Sequence, residues 1–311
     1  MHLGNILYPQ GEYIINSYVP YPNGFNIQRF EEDVLEYKSN KFSRWAFDLL
    51  DDFYTKSVRK RIFAGTYENF LNHKKIVSEY DKKIGGNGRL FFVCMPVSPY
   101  VTYKDLYEVA RKDKDLLLFT SPNPTIPIQD ACELIENETK FACGIKLHPI
   151  IQQKQFDSDL YISAIETIRK KDKVVLFHAG ASRYYLGKEK IMQKCEYDDI
   201  QAAKRLVKLF PDVKFIMGHA GIAEYKEWAN EFKNYDNVFV DGTVQSVKSL
   251  QELHSLYGSN RILYGSDFPA IRTEPTLKIF FKAFKGEALE KCLYKNALTL
   301  LGQQIITSKK I

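Results

Sequence analysis

Three apolar runs in the second half of the chain each end in a polar residue able to hold a metal or move a proton. They are VVLFHAG reaching His178, KFIMGHAG reaching His219, and RILYGSDFP reaching Asp267. A buried parallel strand reads as a short, nearly continuous apolar run. About forty residues separate His178 from His219 and a little under fifty separate His219 from Asp267, the lengths of one strand–helix unit and then two. Helical spacing of apolar residues fills the gaps at 198–209, 222–233 and 245–257, and NVFVDGT at 237–243 supplies the intervening strand. Upstream, RLFFVCMP (89–96), DLLLFTSP (115–122) and CGIKLHP (143–149) alternate with helical patterns at 102–113, 127–139 and 157–171. Seven strands in order, each followed by a helix, predict an α/β fold: a (β/α)₈ barrel with chemistry at the carboxyl ends of its strands.

Composition fits one large domain over 1–311, since 45 % hydrophobic and 14 % aromatic residues are enough to fill a barrel core. The net charge of +6 comes from lysines scattered over helix faces, which argues against nucleic acid as a partner. No apolar run has the length of a membrane span, and the first residues lack the basic start and apolar stretch of a signal peptide, so a cytoplasmic protein is expected. Cys94, Cys132, Cys143, Cys195 and Cys292 form no CxxC pair and suit a reducing compartment as small apolar fillers. Residues 5–60, rich in Pro, Gly and Asn at first and helical in pattern at 28–39 and 42–56, read as a loop and extra helices over the barrel mouth. A further helical pattern covers 66–83. A lid, a homodimer contact and a plain surface excursion are all open to the 5–60 segment.

His178 is followed by a small residue and a glycine, which leaves room beside its ring; the alternative is a core histidine with a satisfied hydrogen bond. Asp267 stands at the last strand's end, where it either faces the mouth or caps the turn before Pro269. Lys146 and His148, two apart on the fourth strand, share a face. His148 either lines the mouth or bonds the loop after Pro149. Arg183 and Arg272, each five residues beyond a strand-end candidate, would make the mouth positive, against the plain alternative of solvated loop arginines. Asp241 faces the mouth or caps its own loop. His73 and His254 fall in helical patterns and read as surface residues.

GIKLHP at 144–149, LFHAG at 176–180, GHAG at 218–221 and YGSDFP at 264–269, in this order on successive strands, resemble the amidohydrolase-related (amidohydrolase 2) family of metal-dependent TIM-barrel enzymes. That family opens with an HxH pair ending the first strand. This chain begins Met1-His2-Leu3-Gly4-Asn5, similar to the tail of such a motif, with the first strand truncated or missing. A start placed between the two histidines is preferred to a natural loss, because a barrel without its first strand exposes two edges.

The resemblance implies one divalent ion, zinc first and manganese second, held by His2, His178 and Asp267. It makes Asp267 the general base as well as a ligand, and gives His219 the stabilisation of charge on the attacked oxygen, with a second metal ligand or a structural histidine bonded to backbone at the rim as the alternatives. Lys146 would bind a substrate carboxylate, with His148, Arg183 and Arg272 lining the same anionic pocket. Hydrolysis of a small carboxylate-bearing substrate is the expected reaction. Non-oxidative decarboxylation is the alternative within the family, and a metal-free binding barrel without the HxH pair is the alternative outside it.

Overall fold

The computed structural model describes residues 2–4, 56, 67–86, 90–111, 113–182, 184–185, 191–192, 194–271 and 273–308, with 2–4, 67–69 and 303–308 described by backbone alone. The predicted mouth loop and helices of 5–60 lie outside these residues, apart from position 56, as do Arg183 and Arg272.

All seven predicted strands are present, shorter than their apolar runs. Strand β1 is His2–Gly4 and pairs in parallel with β2, Phe92–Met95. Helix α1, Tyr67–Lys83, precedes β2. There follow α2 (Tyr103–Ala110), β3 (Leu116–Leu118), α3 (Ile128–Glu138), β4 (Gly144–Leu147) and α4 (Asp159–Ile168). Next come β5 (Val174–His178), α5 (Ile200–Leu209), β6 (Phe215–Gly218), α6 (Tyr225–Phe232), β7 (Val238–Asp241) and α7 (Val247–Tyr257). The chain ends with β8 (Ile262–Leu263), α8 (Thr273–Ala283) and α9 (Asn296–Ser308). Strands pair in chain order, β1-β2-β3 and β4 through β8, and a parallel bridge between Thr120 and Ile145 joins the two runs. This is a (β/α)₈ TIM barrel.

Strand alternation divides the core in two. Val93, Met95, Leu117, Val174, Leu176, Ile216 and Leu263 form the inner cluster, closed by Leu300 and Leu301 of α9. Their neighbours Phe92, Cys94, Ile145, Leu147, Val175, Phe177, Phe215 and Met217 pack outward beneath the helices. The same parity continues upward: 174 and 176 point inward, and so does His178. On β4 the outward pair Ile145 and Leu147 leaves Lys146 and His148 on the inner face. The helices begin where the sequence offers caps, with Thr102 and Asp105 forming a capping box before α2, and Ser246 and Ser249 forming one before α7. Among the described residues no helix is long and apolar enough to cross a membrane, and all five cysteines are free.

Candidate active site

His178 closes β5 in register with Gly218 of β6, and its ring is only 2 % exposed. The space beside it is made by two glycines. Gly180 has φ +89°, and a Cβ there would lie 2.3 Å from the carbonyl oxygen of Gly221; Gly221, also at φ +89°, has no room against Trp228. The two HAG motifs therefore pack glycine on glycine, which draws their histidines together. On strand parity alone His219 would point outward with Phe215 and Met217. Its left-handed backbone, φ 61°, breaks the alternation, and its ring lies 5.0 Å from that of His178, edge to face. Gln245 fixes this unusual turn by donating from Nε2 to the carbonyls of His219 (2.8 Å) and Ile222 (3.0 Å).

His148 stacks on His178 with ring centroids 4.3 Å apart and planes 10° apart. Its Nδ1 accepts from the Ile151 amide at 3.4 Å, capping the short helix Pro149–Gln152 where a loop was expected, and this leaves Nε2 as the donor toward the Tyr184 hydroxyl at 3.2 Å. Gln152 holds the adjoining loops together. Its Oε1 accepts from the His148 amide and the Tyr161 hydroxyl, while Nε2 donates to the carbonyls of Ser98 and Pro122 and to Ser121 Oγ.

Lys146, 4 % exposed, joins the histidines to the acids electrostatically. Burial lowers its pKa, and Asp267 and Asp241 oppose that fall. Burial raises Asp267, which Lys146 counters and Asp241 reinforces. Asp241 is likewise raised by burial, although its Oδ1 accepts from the Thr243 amide (2.8 Å) and hydroxyl (2.6 Å). It thus caps its loop and belongs to the charged cluster as well. Gly265 is required beside it, since a Cβ there would fall 2.1 Å from Asp241 Oδ1. Burial, with Lys146 next in effect, lowers His219 to about 3. Burial also takes His148 and His178 well below the usual imidazole range, so all three rings are neutral at physiological pH.

Neither ring nitrogen of His178 makes a hydrogen bond of ordinary geometry; a weak backbone hydrogen bond at Gly180 is the smallest of the influences on it. A buried imidazole so poorly partnered is costly unless something binds it. A divalent cation fits that donor. Among the described residues no group of three His, Cys, Asp or Glu side chains is arranged to hold a metal ion. His2 is placed by backbone only, in register with the interior residue Val93. Its role as a ligand rests on the resemblance.

His73 corrects the sequence reading. It is buried, 1 % exposed, with burial lowering its pKa to about 3. The signal was present: Phe70, His73, Val77 and Tyr80 form the inward stripe of α1, and a helical histidine in that register faces the core. Gln152, Gln245 and Tyr184 were also missed, since their roles depend on loop contacts that carry no period in sequence. His254 is half-buried, its ring edge-on to Phe284 at 5.7 Å.

A parallel barrel with buried histidines, a lysine and carboxylates at the carboxyl ends of its strands defines a class of enzyme scaffold. The family model described as amidohydrolase (Amidohydro_2) matches residues 78–303, and the chain belongs to that family. Among curated proteins no sequence matches. Of solved structures, an uncharacterised TIM-barrel protein from Bordetella bronchiseptica superposes with a TM-score of 0.65 at 14 % identity, covering 82 % of this chain and 90 % of that one. The 5-carboxyvanillate decarboxylase LigW from Sphingomonas paucimobilis gives 0.50 at 14 % identity, covering 71 % and 81 %. The 5-carboxyvanillate decarboxylase LigW2 from Novosphingobium aromaticivorans, solved with bound manganese, gives 0.50 at 15 % identity, covering 68 % and 77 %.

Proposed function

We propose that this chain is a metal-dependent enzyme that hydrolyses a small, carboxylate-bearing substrate at the barrel mouth. The observation that carries the reading is His178, a buried inward imidazole with no hydrogen bond of ordinary geometry at either nitrogen, set beside His219 and within the field of Lys146. A divalent cation held by His178 and Asp267, with His2 as the implied third ligand, would supply a Lewis acid and lower the pKa of water; zinc is the first candidate, and the manganese of LigW2 makes that ion the second.

Each protein group then has a task. His178 is kept neutral by burial and so offers a lone pair. Asp267, raised by burial toward neutrality, is suited to take a proton from the attacking water and return it to the leaving group. His219, also neutral, presents a ring N–H to the substrate oxygen that gains charge. Lys146 is a buried cation that a substrate carboxylate would neutralise further. Arg183 and Arg272 belong to this proposal as rim donors by their places in the sequence.

Decarboxylation is the second reading, favoured by the two decarboxylases that share the fold. One experiment separates them. The metal-loaded protein is incubated in ¹⁸O-labelled water with a panel of hydroxybenzoates, aryl amides and lactones bearing carboxylates. Hydrolysis puts ¹⁸O into the product acid without release of carbon dioxide; carbon dioxide with an unlabelled product supports the second reading.

A further inference from the structure

His73 lies outside the barrel, on α1, yet its ring touches both ends of the segment that follows the strand-end acid. It stacks on Phe268, with centroids 4.5 Å apart and planes 14° apart, and stands edge-on to Phe92 of β2 at 5.4 Å. Its Nδ1 is hydrogen-bonded to the hydroxyl of Thr273, the first residue of α8 and itself 4 % exposed. Beside these contacts the chain turns tightly from Asp267, at φ 47°, to Ile271, whose amide donates to the Asp267 carbonyl at 3.0 Å. A left-handed aspartate keeps such a conformation only where its surroundings enforce it.

Packing alone does not account for an imidazole here. The His73 Nε2 is buried and without a hydrogen-bond partner, so a phenyl ring would fill the slot without stranding a polar atom. What histidine adds is the bond to Thr273. We infer that His73 is a positioning residue: from α1 it holds Phe268, in the turn Asp267–Ile271, and Thr273, at the start of α8, and thereby holds the Asp267 carboxyl in the mouth. Its consequence for catalysis rests on the metal reading above; the clamp itself does not.

The test is hydrogen exchange of the amides between Phe268 and Thr273, measured on the full chain. Three variants dissect the clamp. His73→Phe keeps the stack and removes the bond, Thr273→Val removes the bond from the other side, and His73→Asn keeps a polar group near the Nδ1 position without the stack. Ile135→Ala, a buried residue on α3, serves as a control matched for loss of melting temperature. His73→Phe and Thr273→Val should each speed exchange in this turn about ten-fold, the effect of one ordinary hydrogen bond, and the double variant should be no worse than either single one. His73→Asn should exchange more slowly there than His73→Phe. If His73→Phe exchanges no faster in this turn than Ile135→Ala, the clamp is overturned. Metal titration of the same proteins separates this inference from the metal reading. His73→Phe should weaken binding about ten-fold, as loss of an outer support of a ligand does. Should His178→Ala bind metal as tightly as the unaltered chain, the metal reading fails, and the exchange result still decides the clamp.

Discussion

Burial is the dominant force on every titratable side chain of the mouth, and it keeps imidazoles neutral while pushing carboxyls toward protonation. His219 and His178 should therefore separate on mutation. Asn in place of His219 should leave bound metal unchanged by elemental analysis and lower kcat by a factor of about 10² to 10³, the ordinary cost of one donor to a developing oxyanion; loss of metal instead would make His219 a ligand. His73 gives a pH prediction. Its folded pKa of about 3 lies below the unfolded value of 6.5, so the unfolded chain binds the extra proton between those limits. The stability that His73 contributes is complete above pH 6.5 and is lost as pH falls toward 3, at roughly 1.4 kcal/mol per unit. Urea midpoints taken at pH 7.5 and pH 5 should differ less for His73→Phe than for the unaltered chain. An equal difference in both would show that His73 is already protonated when folded.

Among the elements, the turns after β5 and β6 set the histidines, and their glycines are where small changes should be felt. Gly180→Ala introduces a Cβ at 2.3 Å from the Gly221 carbonyl on a backbone with φ +89°. A loss of stability of at least about 2 kcal/mol is expected from strain of this kind, read as a lower urea midpoint; an unchanged midpoint would mean that the two HAG turns are not packed as described. The sequence made the strands legible because a buried parallel strand has one signature, an apolar run, and because parity then places Lys146 and His178 inward. It did not reveal that His219 breaks parity, since a left-handed residue leaves no mark in hydrophobic pattern. Nor did it reveal Gln152 and Gln245, whose partners are backbone carbonyls and amides of distant loops. His73 was legible on its helical stripe and was missed because a polar residue in a lysine-rich helix was read by type instead of by position.

At the scale of the whole molecule, the barrel gathers residues from β4, β5, β6, β7 and the end of β8 into one electrostatic cluster around Lys146, whose charge is felt by His148, His178, His219, Asp241 and Asp267. Under the proposed function this cluster of neutral rings and raised carboxyls would receive a cation, and membership of the amidohydrolase family is consistent with that proposal. The most direct test is calorimetric titration of the chelator-stripped protein with zinc and with manganese, beside its His178→Ala variant. One divalent ion should bind per chain with an accompanying rise in melting temperature, and the variant should lose at least about a hundred-fold in affinity, since a first ligand matters at least as much as an outer support. Binding of equal tightness and stoichiometry by both proteins, or no binding by either, would contradict the account.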